Sequence, residues 1–154
     1  MTLRYLVTLG AAILAGCGAQ SIPAESPAAI ITHWAGQHGG SEVPRTKVLR
    51  QAGDWTAFWQ QVERASPRAF DPSREMAVTI EIGGKRTGGY SVEIVAVRRE
   101  EGKLLVDYRQ HTPDPDMMVT QALTSPWAIA VLPRSDLPLV FRDVGSTARR
   151  VHDK

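Results

Sequence analysis

The sequence predicts a β-rich α+β fold, in which an antiparallel sheet or sandwich of about eight short strands carries one amphipathic helix. Three observations support this prediction. Apolar residues make up 43% of the 154 residues, which is enough for the core of one domain. Most apolar stretches are short, alternate with polar residues and end at glycine- or proline-rich turns. Only one stretch has the period of a helix.

The helix is predicted from four apolar residues at positions i, i+3, i+4 and i+7: Trp55, Phe58, Trp59 and Val62. Asp54 stands just before them and can accept a free backbone N–H through its carboxylate, so we expect it to be the N-cap. Ser66 and Pro67 should end the helix, because proline disfavours helical backbone in the residue before it.

The eight predicted strands lie on both sides of this helix: 29–34, 43–50, 76–82, 90–97, 104–108, 117–123, 127–132 and 139–142. The strand 76–82 has the clearest alternation, with Met76, Val78 and Ile80 on one face. The strand 90–97 carries apolar residues on both faces, which indicates either a central strand or a β-bulge.

The first 16 residues have the pattern of a signal peptide, in which Arg4 precedes a short apolar stretch. This stretch is too short for a membrane-spanning helix, which needs about 20 apolar residues. The next feature resembles a bacterial lipobox, in which the cysteine is lipidated and becomes the first residue of the mature chain: Leu14-Ala15-Gly16-Cys17. The alternative is an ordinary secretory signal beside an incidental cysteine.

The chain therefore divides into four predicted segments: a lipoprotein signal peptide at 1–16, a lipidated tether at 17–28, a globular domain at 29–142 and a polar, flexible tail at 143–154. We expect the lipid on Cys17 to hold the protein at the extracytoplasmic face of a bacterial membrane. Gly18 is not the aspartate often associated with inner-membrane retention, so the outer membrane is favoured where one exists.

Cysteine usage and charge exclude several classes of protein. Cys17 is the only cysteine, so the chain has no intramolecular disulfide and no cysteine-based metal site. The 18 basic and 16 acidic residues nearly balance, so nothing indicates a nucleic-acid-binding surface. The four histidines do not have a metal-binding spacing, and we expect no metal site.

We also expect no catalytic site, and no cofactor apart from the lipid. Ser91 follows Gly-Gly-Tyr, but Glu93 stands where the nucleophile elbow of a hydrolase needs glycine. The segment 83–89 resembles a phosphate-binding loop only superficially, because its lysine and threonine are in the wrong order. A hydrolase would need His111 or His38 beside a serine and a carboxylate.

Two segments are candidate partner-binding loops. The first lies between two predicted strands and contains Thr87, Gly88, Gly89 and Tyr90. The second leads into a predicted strand and contains Ser125, Pro126 and Trp127. Glycine permits close approach of another backbone, and tyrosine and tryptophan are enriched at interfaces. The alternative is that both segments are turns followed by a core tyrosine and a core tryptophan.

The order of several motifs between residues 54 and 141 resembles the PrcB family of protease-complex subunits. The motifs are Asp54-Trp55-x-x-Phe58-Trp59, Phe70-Asp71-x-x-x-Glu75-Met76, Arg86-Thr87-Gly88-Gly89-Tyr90-Ser91-Val92-Glu93-Ile94, Val119-Thr120-Gln121-Ala122-Leu123-Thr124-Ser125-Pro126-Trp127 and Leu132-Pro133-x-x-x-x-Pro138-x-x-Phe141. Arg86 and Trp127 stand where the family often has proline and tyrosine.

The resemblance implies a lipid-anchored envelope protein that associates with a secreted protease and stabilises it. The two candidate loops are also similar, as short motifs, to those that chagasin-type inhibitors present to a protease cleft. We therefore expect a non-catalytic, membrane-anchored protein that binds and stabilises, or inhibits, a partner protein. The alternatives are a structural lipoprotein, a lipoprotein that binds a small ligand between helix and sheet, and the hydrolase considered above.

Overall fold

The computed structural model describes residues 26–145 and 147–149. The predicted signal peptide, Cys17 and parts of the predicted tether and tail lie outside these residues. Within the described part of the chain, no helix is long and apolar enough to cross a membrane.

The described residues form nine strands and one helix, and seven of the strands have five residues or more. In chain order they are β1 (Ser26–Pro27), β2 (Thr32–Gly36), β3 (Arg45–Leu49), α1 (Ala52–Gln61), β4 (Glu75–Glu81), β5 (Ser91–Glu100), β6 (Lys103–Pro113), β7 (Trp127–Pro133), β8 (Leu139–Asp143) and β9 (Thr147–Arg149).

These strands form two sheets. The first has the order β1-β5-β6-β8, with β9 also paired to β6, and the second has the order β2-β7-β4-β3. All the described pairs are antiparallel except β6 with β8 and β6 with β9. The prediction of a β-rich α+β fold with one helix packed on a sheet is confirmed.

The second sheet is the middle layer of the domain. On one face its buried side chains Met76, Val78 and Ile80 pack with residues of the first sheet, including Val97 and Val106. On the other face, helix α1 packs over the sheet through a second set of buried residues: Leu49, Trp55, Phe58, Trp59, Val62, Ala77, Trp127, Ile129 and Val131. Strands β4 and β7 are therefore buried on both faces, as their continuous burial indicates.

The helical stripe faces the sheet as predicted, but both ends of the helix differ from the prediction. The helix begins at Ala52 with Gln51 as its N-cap, so the assignment of Asp54 as the N-cap is wrong. Asp54 instead lies in the first turn, where its negative charge suits the helix dipole. The helix ends at Gln61, several residues before the predicted stop, because Glu63 takes a left-handed backbone conformation with φ of 53°.

The helix end is a Schellman motif. The N–H of Arg64 donates to the carbonyl of Trp59 at 3.0 Å, and the N–H of Glu63 donates to that of Gln60 at 3.1 Å. This motif usually has glycine at the left-handed position. Because Glu63 stands there instead, the sequence predicts the end of the helix only at the next proline.

All four tryptophans of the chain lie in one aromatic cluster between α1 and the middle sheet. Most of the ring pairs are edge-to-face, with centroids 5.4–6.0 Å apart. Trp55 also stacks on Phe70 at 5.0 Å with an interplanar angle of 9°. Such pairs each contribute about 1 kcal/mol beyond the burial of apolar area. The cluster fixes the helix on the sheet.

The apolar residues on both faces of β5 are explained by a β-bulge, one of the two predicted alternatives. The register between β5 and β6 shifts between Ile94 and Ala96, so Val92 and Val97 both face the core despite their odd separation. The bulged residue, Val95, is 42% exposed.

The predicted strand at 117–123 is wrong. These residues form a loop, and Met118 and Leu123 are 99% and 78% exposed. The backbone of this segment bonds to another loop instead of a sheet edge, so Met118 and Leu123 have no buried face to occupy.

The sheets also include residues on both sides of the predicted 29–142 domain. Strand β1 pairs with residues 98–99 of β5, and β9 pairs with residues 111–113 of β6. The sequence predicts a tether and a flexible tail here because these segments have no apolar period. Their pairing uses backbone groups, which need no side-chain pattern.

Candidate binding surface formed by two loops

The two loops that contain the predicted binding segments lie side by side at one end of the domain. Residues 83–90 lie between β4 and β5 and include Thr87 to Tyr90, whereas residues 114–126 join β6 to β7 and include Ser125 and Pro126. Lys85 and Thr124 form an antiparallel bridge with two backbone hydrogen bonds of 2.7 and 2.9 Å. The Thr124 hydroxyl also donates to the carbonyl of Thr87 at 2.9 Å. We call this pair of segments the loop pair.

Two glycines allow the loops to approach this closely. The N–H of Gly88 donates to the carbonyl of Thr120 at 2.9 Å, and a Cβ at Gly88 would lie only 2.3 Å from the Thr120 hydroxyl. Gly89 has φ of 87°, a conformation that favours glycine, and a Cβ there would meet Pro113 and Val119 at 2.9 and 3.0 Å. The predicted role of the glycines in a close backbone approach is therefore met within the chain itself.

Tyr90 closes the first loop in a half-buried position. One side of its ring packs against the core between the sheets, and the Lys85 ammonium lies 5.5 Å from the ring centroid. This distance is within the range of a cation–π contact. Tyr90 therefore packs on the core while part of its side chain stays accessible.

The second loop carries the most exposed large apolar side chains of the described residues, Met118 and Leu123. Single exposed apolar residues are common on proteins, but methionine is enriched at interfaces, and here the two lie within six residues of one loop. Sequence reasoning missed both, because it assigned 117–123 to a strand. Their position in a loop that follows a proline-rich segment was the available signal.

Ser125, Pro126 and Trp127 do not form an exposed surface, and their prediction as a displayed aromatic loop is wrong. Ser125 is 8% exposed, Pro126 is fully buried, and Trp127 is 0% exposed. The Trp127 indole N–H donates to the carbonyl of His38 at 2.7 Å. The alternative interpretation, an X-Pro turn followed by a core tryptophan, is correct for this segment.

A third loop at 37–44 explains this burial. Gly36 lies against the Trp127 ring so closely that a Cβ would stand 2.7 Å from it. The N–H of Gly40 donates to the carbonyl of Ser125 at 3.0 Å, and that of Ser125 donates to the carbonyl of Gln37 at 2.9 Å. The glycine-rich loop thus covers the tryptophan and holds the second loop of the loop pair through its hydrogen bonds to Ser125.

A buried carboxylate fixes this third loop to the sheet. Glu81 is 1% exposed and accepts hydrogen bonds from the N–H of Ser41, from Gln61 Nε2 and from the Arg45 guanidinium, at 2.6–3.1 Å. Arg45 Nη2 also donates to Gln61 Oε1 at 2.7 Å. The network joins β3, β4, the end of α1 and the loop, and sequence reasoning missed it because its members are far apart in the chain.

Burial by itself would raise the pKa of Glu81, but the hydrogen bonds from Arg45, Gln61 and Ser41 outweigh it and leave the pKa below its ordinary value. The carboxylate is therefore ionised at neutral pH, when it holds its partners most strongly. Glu81 is not accessible to a ligand, and its role is to hold the loop at 37–44 in position.

The residues that a hydrolase would need are only partly brought together. His111 Nε2 lies 3.1 Å from Glu93 Oε1, and His111 faces Ser91 across the β5–β6 pair. Among the described hydrogen bonds, none joins Ser91 to His111. No group of three or more metal-ligating side chains occurs within the described residues.

The pocket between helix and sheet that a small-ligand protein would need is filled. Trp55, Phe58 and Trp59 are 3–4% exposed and occupy the interface between α1 and the sheet. An open groove remains at the edge of this interface, between α1 and β3, and its rim includes the exposed residues Lys47 and Asp54.

The fold and the loop pair define a two-sheet β-domain with one helix and a supported, partly apolar loop surface at one end. Residues 76–133 match the family model described as PrcB C-terminal, and this region of the chain is accordingly PrcB-like. The matched region runs from β4 to β7 and contains both members of the loop pair. No curated protein and no solved structure matches the chain.

Proposed function

We propose that this protein is a non-catalytic, membrane-anchored envelope lipoprotein that binds a partner protein through the loop pair and stabilises it. The partner class we propose is an extracytoplasmic protease, in keeping with the PrcB-like region. The observation that carries the proposal is the exposure of Met118 and Leu123 on a loop that is hydrogen-bonded to the segment 83–90.

The architecture favours a binding role because the exposed residues are held by a rigid support. The bridge between Lys85 and Thr124 and the fit of Gly88 against Thr120 limit the movement of both loops. A preorganised surface loses less conformational entropy when it binds, so more of the contact energy appears as affinity.

The burial of Trp127 favours stabilisation of the partner over inhibition of the chagasin type. An inhibitor of that type needs a protruding Pro-Trp loop, whereas this tryptophan is 0% exposed and hydrogen-bonded to His38.

Affinity capture with the full-length, lipidated protein from detergent-solubilised envelopes tests the proposal. The test variant carries Met118→Ser and Leu123→Ser, and the captured proteins are identified by mass spectrometry. We expect the wild type to retain a peptidase and the variant to lose it. If either residue is a central contact, the affinity for the purified partner should fall by roughly thirtyfold, which corresponds to about 2 kcal/mol.

The matched control is Ile31→Ser, which replaces an apolar residue that is 48% exposed. Ile31 lies near the other end of β7, because its N–H donates to the carbonyl of Val131 at 2.8 Å. This control should retain the partner. Equal capture by wild type and the double variant would contradict the role of the loop pair, and capture of no peptidase would contradict the proposed partner class.

A further inference from the structure

The chain enters the described fold at the end opposite to the loop pair. Residues 26–27 pair with residues 98–99, near the last residues of β5, whereas the segment 83–90 leads directly into its first residue. Eight residue steps from Ser91 to Arg99 correspond to about 26 Å along the strand. In the middle sheet, the second loop of the loop pair leads into Trp127, and Pro133 lies at the opposite end of β7.

The surface at the entry point carries an open cleft of about 330 Å³. Ala28 lies at its wall, and the core residues Leu104 and Leu132 form its floor. Arg99 and Arg134 also line this cleft, and both are exposed. We call the surface around this cleft the base of the domain.

The charges at the base leave one arginine available. Arg134 donates to the carbonyls of Arg50 and Pro72 at 3.2 and 2.6 Å, whereas Arg99 makes no ion pair with another described residue. Arginine side chains lie along apolar surface with the guanidinium at the polar boundary, and they bind phosphate in a bidentate geometry. Glu100 and Glu101 occupy the neighbouring turn, so attraction to anionic lipid should depend strongly on Arg99.

We propose that the base contacts the anionic phospholipids of the membrane that carries the anchor, and that the domain stands with the loop pair facing away from the bilayer. This inference rests on the proposed function, because it requires the lipid anchor on Cys17. Arg99 would bind a lipid phosphate at the level of the head groups. A protein partner could then reach the loop pair without displacing lipid.

Depth-dependent fluorescence quenching in vesicles tests the orientation. The lipidated protein is reconstituted with lipids that carry a head-group quencher, and a fluorophore is attached to Asp136→Cys at the base or to Gln121→Cys in the loop pair. Because Cys17 is the only native cysteine, each added thiol is the only labelling site in the lipidated protein. We expect several-fold stronger quenching at position 136 than at position 121 in phosphatidylglycerol vesicles.

Arg99→Gln tests the lipid contact, and Lys47→Gln is the matched control because it removes one exposed positive charge from β3. The difference in quenching between the two probes should shrink with Arg99→Gln and persist with Lys47→Gln. In phosphatidylcholine vesicles the wild type should resemble Arg99→Gln.

Equal quenching at the two positions in a vesicle-bound wild-type protein, or stronger quenching at position 121, would overturn the orientation and leave the proposed function standing. No effect of Arg99→Gln would overturn the lipid contact at the base. Failure of the wild type to remain with the vesicles would overturn the anchor in the proposed function, and the membrane-facing base with it.

Discussion

The indole N–H of Trp127 donates to the backbone carbonyl of His38 at 2.7 Å, and this contact ties the start of β7 to the glycine-rich loop. A residue that sequence reasoning placed on a binding surface is thereby part of the core. Trp127→Phe should leave the carbonyl without its partner and a small cavity in the aromatic cluster. We expect a loss of about 2–3 kcal/mol in the free energy of unfolding, measured by urea denaturation. An unchanged denaturation midpoint together with lost partner binding would contradict this structural role.

The close approach of Gly88 to Thr120 predicts a rescue experiment. Gly88→Ala places a Cβ in steric conflict with the Thr120 hydroxyl, so it should separate the loops and weaken both stability and partner capture. Thr120→Ala removes that hydroxyl, and the next side-chain atom of Thr120 is 3.7 Å from the added Cβ. The double variant should therefore recover most of the stability lost by Gly88→Ala, as a thermal denaturation series can measure. Strict additivity of the two changes would contradict the proposed contact.

The Glu81 network predicts a specific dependence of stability on pH. Because the pKa of folded Glu81 lies below its ordinary value of 4.5, its contribution is fully present above pH 4.5 and is lost as the pH falls through the folded pKa. Glu81→Gln should cost about 1–2 kcal/mol at pH 7, since it weakens the hydrogen bonds that Arg45 and Ser41 make to the carboxylate, while the Arg45 charge stays partly exposed to water. The loss of stability on acidification should be smaller in this variant than in the wild type.

Equilibrium unfolding at pH 7 and at acidic pH measures this difference. Both proteins contain a second acid-sensitive group, Asp107, whose pKa is lowered chiefly by a hydrogen bond from Arg142. The variant therefore retains part of the pH dependence. Glu100→Gln replaces an exposed carboxylate and should leave the curve unchanged. Parallel curves for wild type and Glu81→Gln would show that Glu81 does not titrate as described.

The left-handed conformation of Glu63 predicts a stabilising substitution. Glu63→Gly removes the steric cost of φ at 53°, and the greater freedom of glycine in the unfolded chain offsets only part of the gain. We expect an increase of about 0.5–1 kcal/mol in the free energy of unfolding. Glu63→Ala removes the same carboxylate but keeps the strain, so it should not stabilise the protein. Equal effects of the two substitutions in denaturation experiments would contradict the explanation.

Lipidation of Cys17 is a direct prediction from the sequence, and metabolic labelling with a radioactive fatty acid tests it. Wild type should incorporate the label, because a lipidated cysteine carries the fatty acyl chains that anchor the protein. Cys17→Ala should not incorporate it, whereas Gly18→Ala, which changes the neighbouring residue, should. Labelling of Cys17→Ala would place the lipid elsewhere.

The fold class and most of the elements follow from the pattern of residues along the chain. The stripe from Trp55 to Val62 identified the helix and its buried face, and the alternation of Met76, Val78 and Ile80 identified a core strand. These features were readable because burial on one face of a regular element imposes a period on nearby residues. The apolar residues on both faces of β5 likewise indicated either a central strand or a β-bulge.

The burial of the loop residues depends on contacts between segments that are far apart in the chain. Trp127 lies in the core because a loop 89 residues earlier in the chain covers it, and Met118 is exposed because its loop bonds to another loop instead of a sheet. Glu81 is satisfied in the interior only because Ser41, Arg45 and Gln61 converge on it. Such contacts join distant segments and have no period, so the pattern of residues along the chain does not reveal them.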